Sequence, residues 1–331
     1  MHFILTLGYP KRDHLKRDEW TMYKECALQI INWETGTLVK EVKYISPPDR
    51  IAEDGSILFK AGTLDKNSFI VPTNTEILVY ELPGLKIKKI YSHPTFNDLH
   101  HVTVHNDLFY ICNTGLEIIQ VMNDTGDIIA DYNVGTTNTW ERFSRDVDYR
   151  LVPTTKPRET HANFLFFLEE ELWCTRYLQK DAICLGDKTK RIDLNISKGG
   201  PHDGLVQDDF IYFTLTDGYA VIVNKYNLRR EEVIDLNKIS DYKVLLGWCR
   251  GIEVVGNKAY VGFTAFRKSK YREYGLWIKY GKKPLGSRVA EYNLHTKTLE
   301  KEVHVAQETG AAIFTIKHIP WSLGANVEYL K

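Results

Sequence analysis

The chain has 331 residues, which is enough for one large β domain or two ordinary ones. Its 43 lysines and arginines balance 43 aspartates and glutamates, so no global field draws it to nucleic acid or to an anionic membrane. No apolar stretch approaches the length of a bilayer span, so no membrane span is expected.

The first segment, "MHFILTLGYPKRD", carries a short apolar run from Phe3 to Leu7 with no basic region ahead of it and no small-residue cleavage site, so a secretory leader is not expected. The cysteines (Cys26, Cys112, Cys174, Cys184 and Cys249) are odd in number and form no CxxC pair. They read as reduced, mostly buried thiols, and a cytoplasmic location is expected.

From Lys60 onward the chain repeats one grammar. "KAGTLDKNSFIVPTNTEILVYELPGLKIKKIYS" starts at Lys60, "HHVTVHNDLFYICNTGLEIIQVMNDTGDIIADYNV" at His100 and "HDGLVQDDFIYFTLTDGYAVIVNKYNLRREEVIDL" at His202. Each predicts a short strand, a polar turn, an aromatic and β-branched strand, a second turn, a third apolar strand and a more polar fourth. Units from His161 and from Arg250 follow the same order with distortion. The period of about forty residues is that of a four-stranded propeller blade, and the absence of helical spacing excludes a helical solenoid.

The two ends complete the pattern. The N-terminus offers only three strands, "HFILTLG", "CALQIINW" and "TLVKEVKYI", and the C-terminus one spare strand, "GAAIFTIKHI". A ring of sheets must close to remove its edges, and the spare strand does this by completing the first blade from the inside. The expected fold is all-β, a six-bladed β-propeller in a single domain over 1–331. The blades are placed at about 1–48 plus 310–319, 51–93, 98–135, 158–197, 200–240 and 246–306, with insertions at 135–158 and 266–288.

On the pattern "xVxxNDLFYICNTGxxxIxVMNDTG", the chain resembles six-bladed propellers of the broad NHL, SMP-30/gluconolactonase and strictosidine-synthase-like group. The resemblance spans nearly the whole chain and is architectural. The calcium site of the lactonase branch needs Glu, Asn and Asp side chains that have no matching positions in this sequence, so the resemblance implies no calcium chemistry.

The repeat gives the histidines a common phase. The first strand of a blade lines the central channel, and its start lies near the face where ligands bind. His100 or His101 holds that place in the third blade, His161 in the fourth and His202 in the fifth, with Arg250 in the sixth and Lys60 in the second. One expectation is a three-histidine site for a divalent metal (Zn, Fe, Cu or Ni), with an open position for water or substrate. Asp203, Asp98, Glu159 or Glu253 would add a ligand or orient a ring. A second uses no metal: a histidine acts as base or nucleophile while Arg250 and Lys60 hold an anionic group. Six-bladed arylsulfotransferases resemble this second arrangement, but they are periplasmic. A third makes the histidines polar ends of inner strands.

The insertion 135–158 leads straight into His161, and Trp140, Arg142, Arg145 and Arg158 are its candidate lid and anion contacts. The insertion 266–288 is basic, with Tyr271, Tyr274, Trp277 and Tyr280 interleaved. That composition suits single-stranded nucleic acid, a membrane surface, an acidic partner or a packed hairpin, while the rest of the chain shows no nucleic-acid design.

A phosphate loop, a dinucleotide glycine fingerprint, a G-x-S-x-G elbow and an H-E-x-x-H helix are all missing from the sequence. The expected function is a metal-dependent hydrolase or lyase acting on a small anionic metabolite. Arg250 and Lys60 would bind or polarise the substrate and Asp203 would orient a ring or move a proton. The alternatives are a non-catalytic propeller that binds a ligand or protein, and a metal-free His/Arg transferase or anion site.

Overall fold

The computed structural model describes residues 1–240, 244–266, 283–306 and 310–320. Most of the basic insertion, 267–282, lies outside the described residues. Six antiparallel four-stranded sheets follow one another along the chain and form a six-bladed β-propeller. Blade 1 has the strand order Ala312–Ile319, His2–Pro10, Tyr23–Asn32, Thr37–Tyr44, so the last strand of the chain is the innermost strand of the first blade. The expected closure is therefore observed.

Burial explains the strand patterns. Between neighbouring blades lie apolar layers, such as Phe166, Trp173, Ile192, Phe213 and Val221 between blades 4 and 5. A middle strand is covered on both faces and reads as a continuous apolar run, as in Phe210–Leu215, FIYFTL. The outermost strands face water on one side and turn polar, as in Lys86–Tyr91 and Thr298–His304. All five cysteines are buried and unpaired. Among the described residues no helix is long and apolar enough to cross a membrane.

Hydrogen bonds tie each blade to the next around the channel. Gly62 N–H donates to Thr315 Oγ1 (2.8 Å) and joins blades 2 and 1. Ala61 N–H donates to the His100 carbonyl (2.9 Å) and joins 2 and 3. Leu165 N–H donates to His101 Nδ1 (3.0 Å) between 3 and 4, and Asn163 Nδ2 to the Pro201 carbonyl (2.9 Å) between 4 and 5. Gly251 N–H donates to Asp203 Oδ2 (2.9 Å) between 5 and 6, and Arg250 Nε to the Ile313 carbonyl (2.8 Å) returns the circuit to blade 1.

The closing strand is thus both a sheet edge and a link in this ring. Ile313 and Ile316 are buried in the layer between blades 6 and 1. Ile313→Ala should lower stability by about 2–5 kcal/mol, read from the urea midpoint. A chain ending at residue 309 leaves the His2–Pro10 strand as an open edge and should elute as aggregate in size-exclusion chromatography.

Candidate functional site

The inner strands carry a local irregularity at one height. In blade 3 the pairing jumps from Leu99 to His101, which leaves His100 as an extra residue. In blade 4 it jumps from Ala162 to Phe164 around Asn163. In blade 5 it jumps from His202 to Leu205, and in blade 6 from Cys249 to Ile252, around Arg250 and Gly251. The closing strand has the same break between Ile313 and Ile316. A bulge bends a strand and re-aims its side chains. Five bulges at the same end of the channel turn His100, Arg250 and Phe314 into one space.

That space is a cavity of about 380 Å³. It brings together Lys60, His100, His161, His202, Arg250 and Arg158 of the residues singled out from the sequence. Lys156, Val152, Pro153 and Thr154 of the 135–158 insertion also line it, so that segment does form part of the wall. Asp98, Tyr177, Trp248, Phe314 and the Glu19–Trp20 loop of blade 1 complete it.

Other expected site residues stand elsewhere. His101 accepts the Leu165 N–H on Nδ1, which puts its proton on Nε2 facing Thr63 Oγ1 (3.3 Å), and its ring stacks on Phe164 at 3.8 Å. Of the pair, His100 faces the cavity. Asp203 lies beneath the floor, where its carboxylate accepts from Thr214 Oγ1 and Gly251 N–H. Trp140 and Arg145 stack on each other at 3.8 Å and both donate to Asp131, in a separate surface cleft. Glu159 caps the backbone at Thr136, and Glu253 pairs with Lys317 (2.8 Å). Arg142 donates to Glu117 and to the carbonyls of Thr155 and Pro157, bracing the insertion from outside the cavity.

The charge of the cavity is strongly biased. Among the described residues, six cations line it (Lys60, Arg150, Lys156, Arg158, Lys198 and Arg250), against the two carboxylates Asp98 and Glu19. Asp98 pairs with both Lys60 (3.0 Å) and Arg158, and Glu19 pairs with Lys156. Burial disfavours the charged forms of Lys60 and pulls its ammonium below its usual range, with Asp98 opposing. Lys60 and Arg158 hold the Asp98 carboxyl well below the carboxylate range despite its burial. Arg158 Nε is buried without a hydrogen-bond partner among the described residues.

The histidines are neutral for the same reason. Desolvation, reinforced by nearby cations, holds His100 and His202 well below their ordinary value and brings His161 to about 3. His100 Nδ1 lies 2.9 Å from the Asp98 carbonyl, which can only accept. The ring is therefore the Nδ1–H tautomer, and Nε2 keeps its lone pair for a proton.

Glu117 positions His161 and carries no signal in the sequence beyond its place in a hairpin turn. It sits at φ 57°, 5% exposed. Its carboxylate accepts the N–H groups of Glu159 (2.7 Å), Thr160 (2.5 Å) and His161 (3.0 Å) as well as Arg142 (3.1 Å). It holds Arg142 and the chain just after the insertion, and with them the left-handed His161 backbone at φ 52°. Among the described residues, no three His, Cys, Asp or Glu side chains stand together closely enough to hold a metal ion.

No family model matches the chain, and no curated relative matches it. Its likeness is to solved structures. A protein of unknown function from Bacteroides caccae superposes with a TM-score of 0.60 at 13% identity, over 95% of this chain and 97% of that one. A chain of the nidogen/laminin complex superposes with a TM-score of 0.58 at 11% identity, over 96% and 97%. This chain is a six-bladed β-propeller. At such identities the likeness carries the fold and no residue role.

Two outcomes follow for stability. Glu117→Gln should cost about 1–3 kcal/mol in urea unfolding, because several buried N–H groups lose a charged acceptor. The pH profile has a defined shape. His100, His101, His161 and His202 stay neutral when folded but protonate near 6.5 when unfolded, so the stability they contribute is lost as pH falls from about 6.5 toward 3. Asp203 runs the other way: burial raises it to about 6 from 3.8, so its contribution is greatest below pH 4 and is lost as pH rises through 6. Asp203→Asn should therefore raise stability at neutral pH by about 2–3 kcal/mol and steepen the acid loss between about pH 4 and 6 by roughly one proton. Urea midpoints measured across that range check both signs.

Proposed function

We propose that this propeller binds a small anionic metabolite in the cavity at the channel mouth. The observation that carries the reading is the excess of cations lining it, of which the Lys60, Arg158 and Arg250 side chains are buried. An anion here would gain charge-assisted hydrogen bonds in a partly water-excluded site, where each is stronger than in water.

The chemistry this supports is general acid–base work without a metal. An anion bound among the cations offsets the charge that depresses the imidazoles, so that the free Nε2 of His100 can take a proton from the ligand or from a water beside it, and Arg250 and Lys60 offset the negative charge that develops. Hydrolysis and elimination are the two reaction classes that such a set serves. The architectural resemblance to the NHL, SMP-30 and strictosidine-synthase-like group adds no residue role to this reading.

Phosphate, citrate and sulfate added to the purified protein should raise its melting temperature, since a ligand of the folded state stabilises by mass action. Arg158→Gln should remove most of that gain while leaving the ligand-free melting temperature within a few degrees. No shift with any anion would overturn the reading. Stoichiometric bound metal that is lost in His161→Ala and His202→Ala would replace it with the three-histidine metal site.

A further inference from the structure

The rings around this cavity form a closed belt. His100 meets His161 at 5.0 Å between centroids, and His161 meets Tyr177 at 5.2 Å. Tyr177 lies parallel to Trp248 at 6.2 Å, within 8°. The Arg250 guanidinium stands 5.9 Å from the Trp248 ring and 3.4 Å over Phe314, and Phe314 returns to His100 at 6.4 Å. All six side chains line the one cavity. Tyr177 can hold its place because residue 200 is glycine, where a methyl group would overlap the ring.

The floor under this belt has a definite charge. Of the six cations, Arg150 pairs with Asp148, Lys156 pairs with Glu19 and Lys198 is exposed. Among the described residues the buried charges are then Lys60, Arg158 and Arg250 against Asp98, three positive and one negative, so the difference is plus two. The histidines add nothing, because they are neutral. A monoanion would leave one buried positive charge uncompensated, whereas a dianion matches the set.

Resting on the anion-site reading above, we propose that the ligand is a ring-bearing dianion, whose ring lies within the aromatic belt and whose two negative charges sit on the Lys60–Arg158–Arg250 floor. A phosphate monoester and a dicarboxylate share this chemistry. The belt contributes face and edge contacts to any flat ring, and the floor selects charge.

Calorimetric titration of the full chain with four probes, at a pH above the second ionisation of a phosphate monoester, tests this. Phenyl phosphate and phthalate are ring dianions, benzoate is a ring monoanion, and inorganic phosphate has charge without a ring. At least one ring dianion should bind about tenfold or more tighter than both benzoate and inorganic phosphate. Whichever of phenyl phosphate and phthalate binds tighter identifies the anion as phosphate or dicarboxylate. Tyr177→Leu should reduce the ring dianion to the affinity of inorganic phosphate, leave inorganic phosphate unchanged, and be rescued by Tyr177→Phe. Equal affinity for inorganic phosphate and the ring dianions would overturn the belt, and equal affinity for benzoate would overturn the dianion, while the anion site itself would stand in both cases. Binding of none of the four would remove the anion site and this inference with it.

Discussion

Everything in this molecule depends on closing the ring. Six sheets placed face to face bury apolar layers between blades, but the last layer forms only when Ala312–Ile319 pairs with His2–Pro10. The ends of the chain are thereby joined by strand pairing over a sequence separation of about the whole chain. Loop-closure entropy opposes such a contact, and only the last apolar layer and the strand ladder offset it. The inter-blade hydrogen bonds at the channel then fix the angle of each blade to the next.

The same atoms that close the ring build the cavity. Arg250 donates through Nε to the Ile313 carbonyl and so joins blade 6 to blade 1, while its guanidinium covers Phe314 and faces the cavity. His100 gives its carbonyl to Ala61 of blade 2 and its ring to the site. The bulges make this double use possible, because an extra residue frees the side chain from the alternation that would bury it between blades. Burial then sets the chemistry: desolvation keeps the imidazoles neutral, and the cations persist only because Asp98 and Glu19 compensate part of their charge.

The sequence made the architecture legible because it is periodic. Turn residues recur between apolar strands, and the three-strand start and one-strand end leave only one way to close. The phase of His202, His161 and Lys60 was legible for the same reason, since each sits at the start of an inner strand. What could not be read is what a repeat does not encode. The choice between His100 and His101 depends on a one-residue bulge, which shifts every side chain after it to the other face. Asp203 falls one residue past His202 and is turned under the floor by the bulge of its own strand. Tyr177 ends a second strand and Phe314 belongs to the closing strand, so neither shares the phase of the histidines. Glu117 acts across 42 residues of sequence through backbone N–H groups, which leave no trace in side-chain pattern.

The belt also explains why the aromatic and cationic residues come from separate blades. Trp248 and Arg250 come from blade 6, Phe314 from blade 1, His100 from blade 3, and His161 and Tyr177 from the entrance of blade 4 and its second strand. In the open chain these groups are scattered over more than two hundred residues. Their mutual distances are fixed only in the closed ring, so the cationic floor, which repels itself, stands on a frame held by six apolar layers. Placing like charges on the rigid axis of a ring lets the fold carry their repulsion. It also leaves that repulsion to be relieved by an anion from solution, which couples ligand binding to the stability of the closed ring.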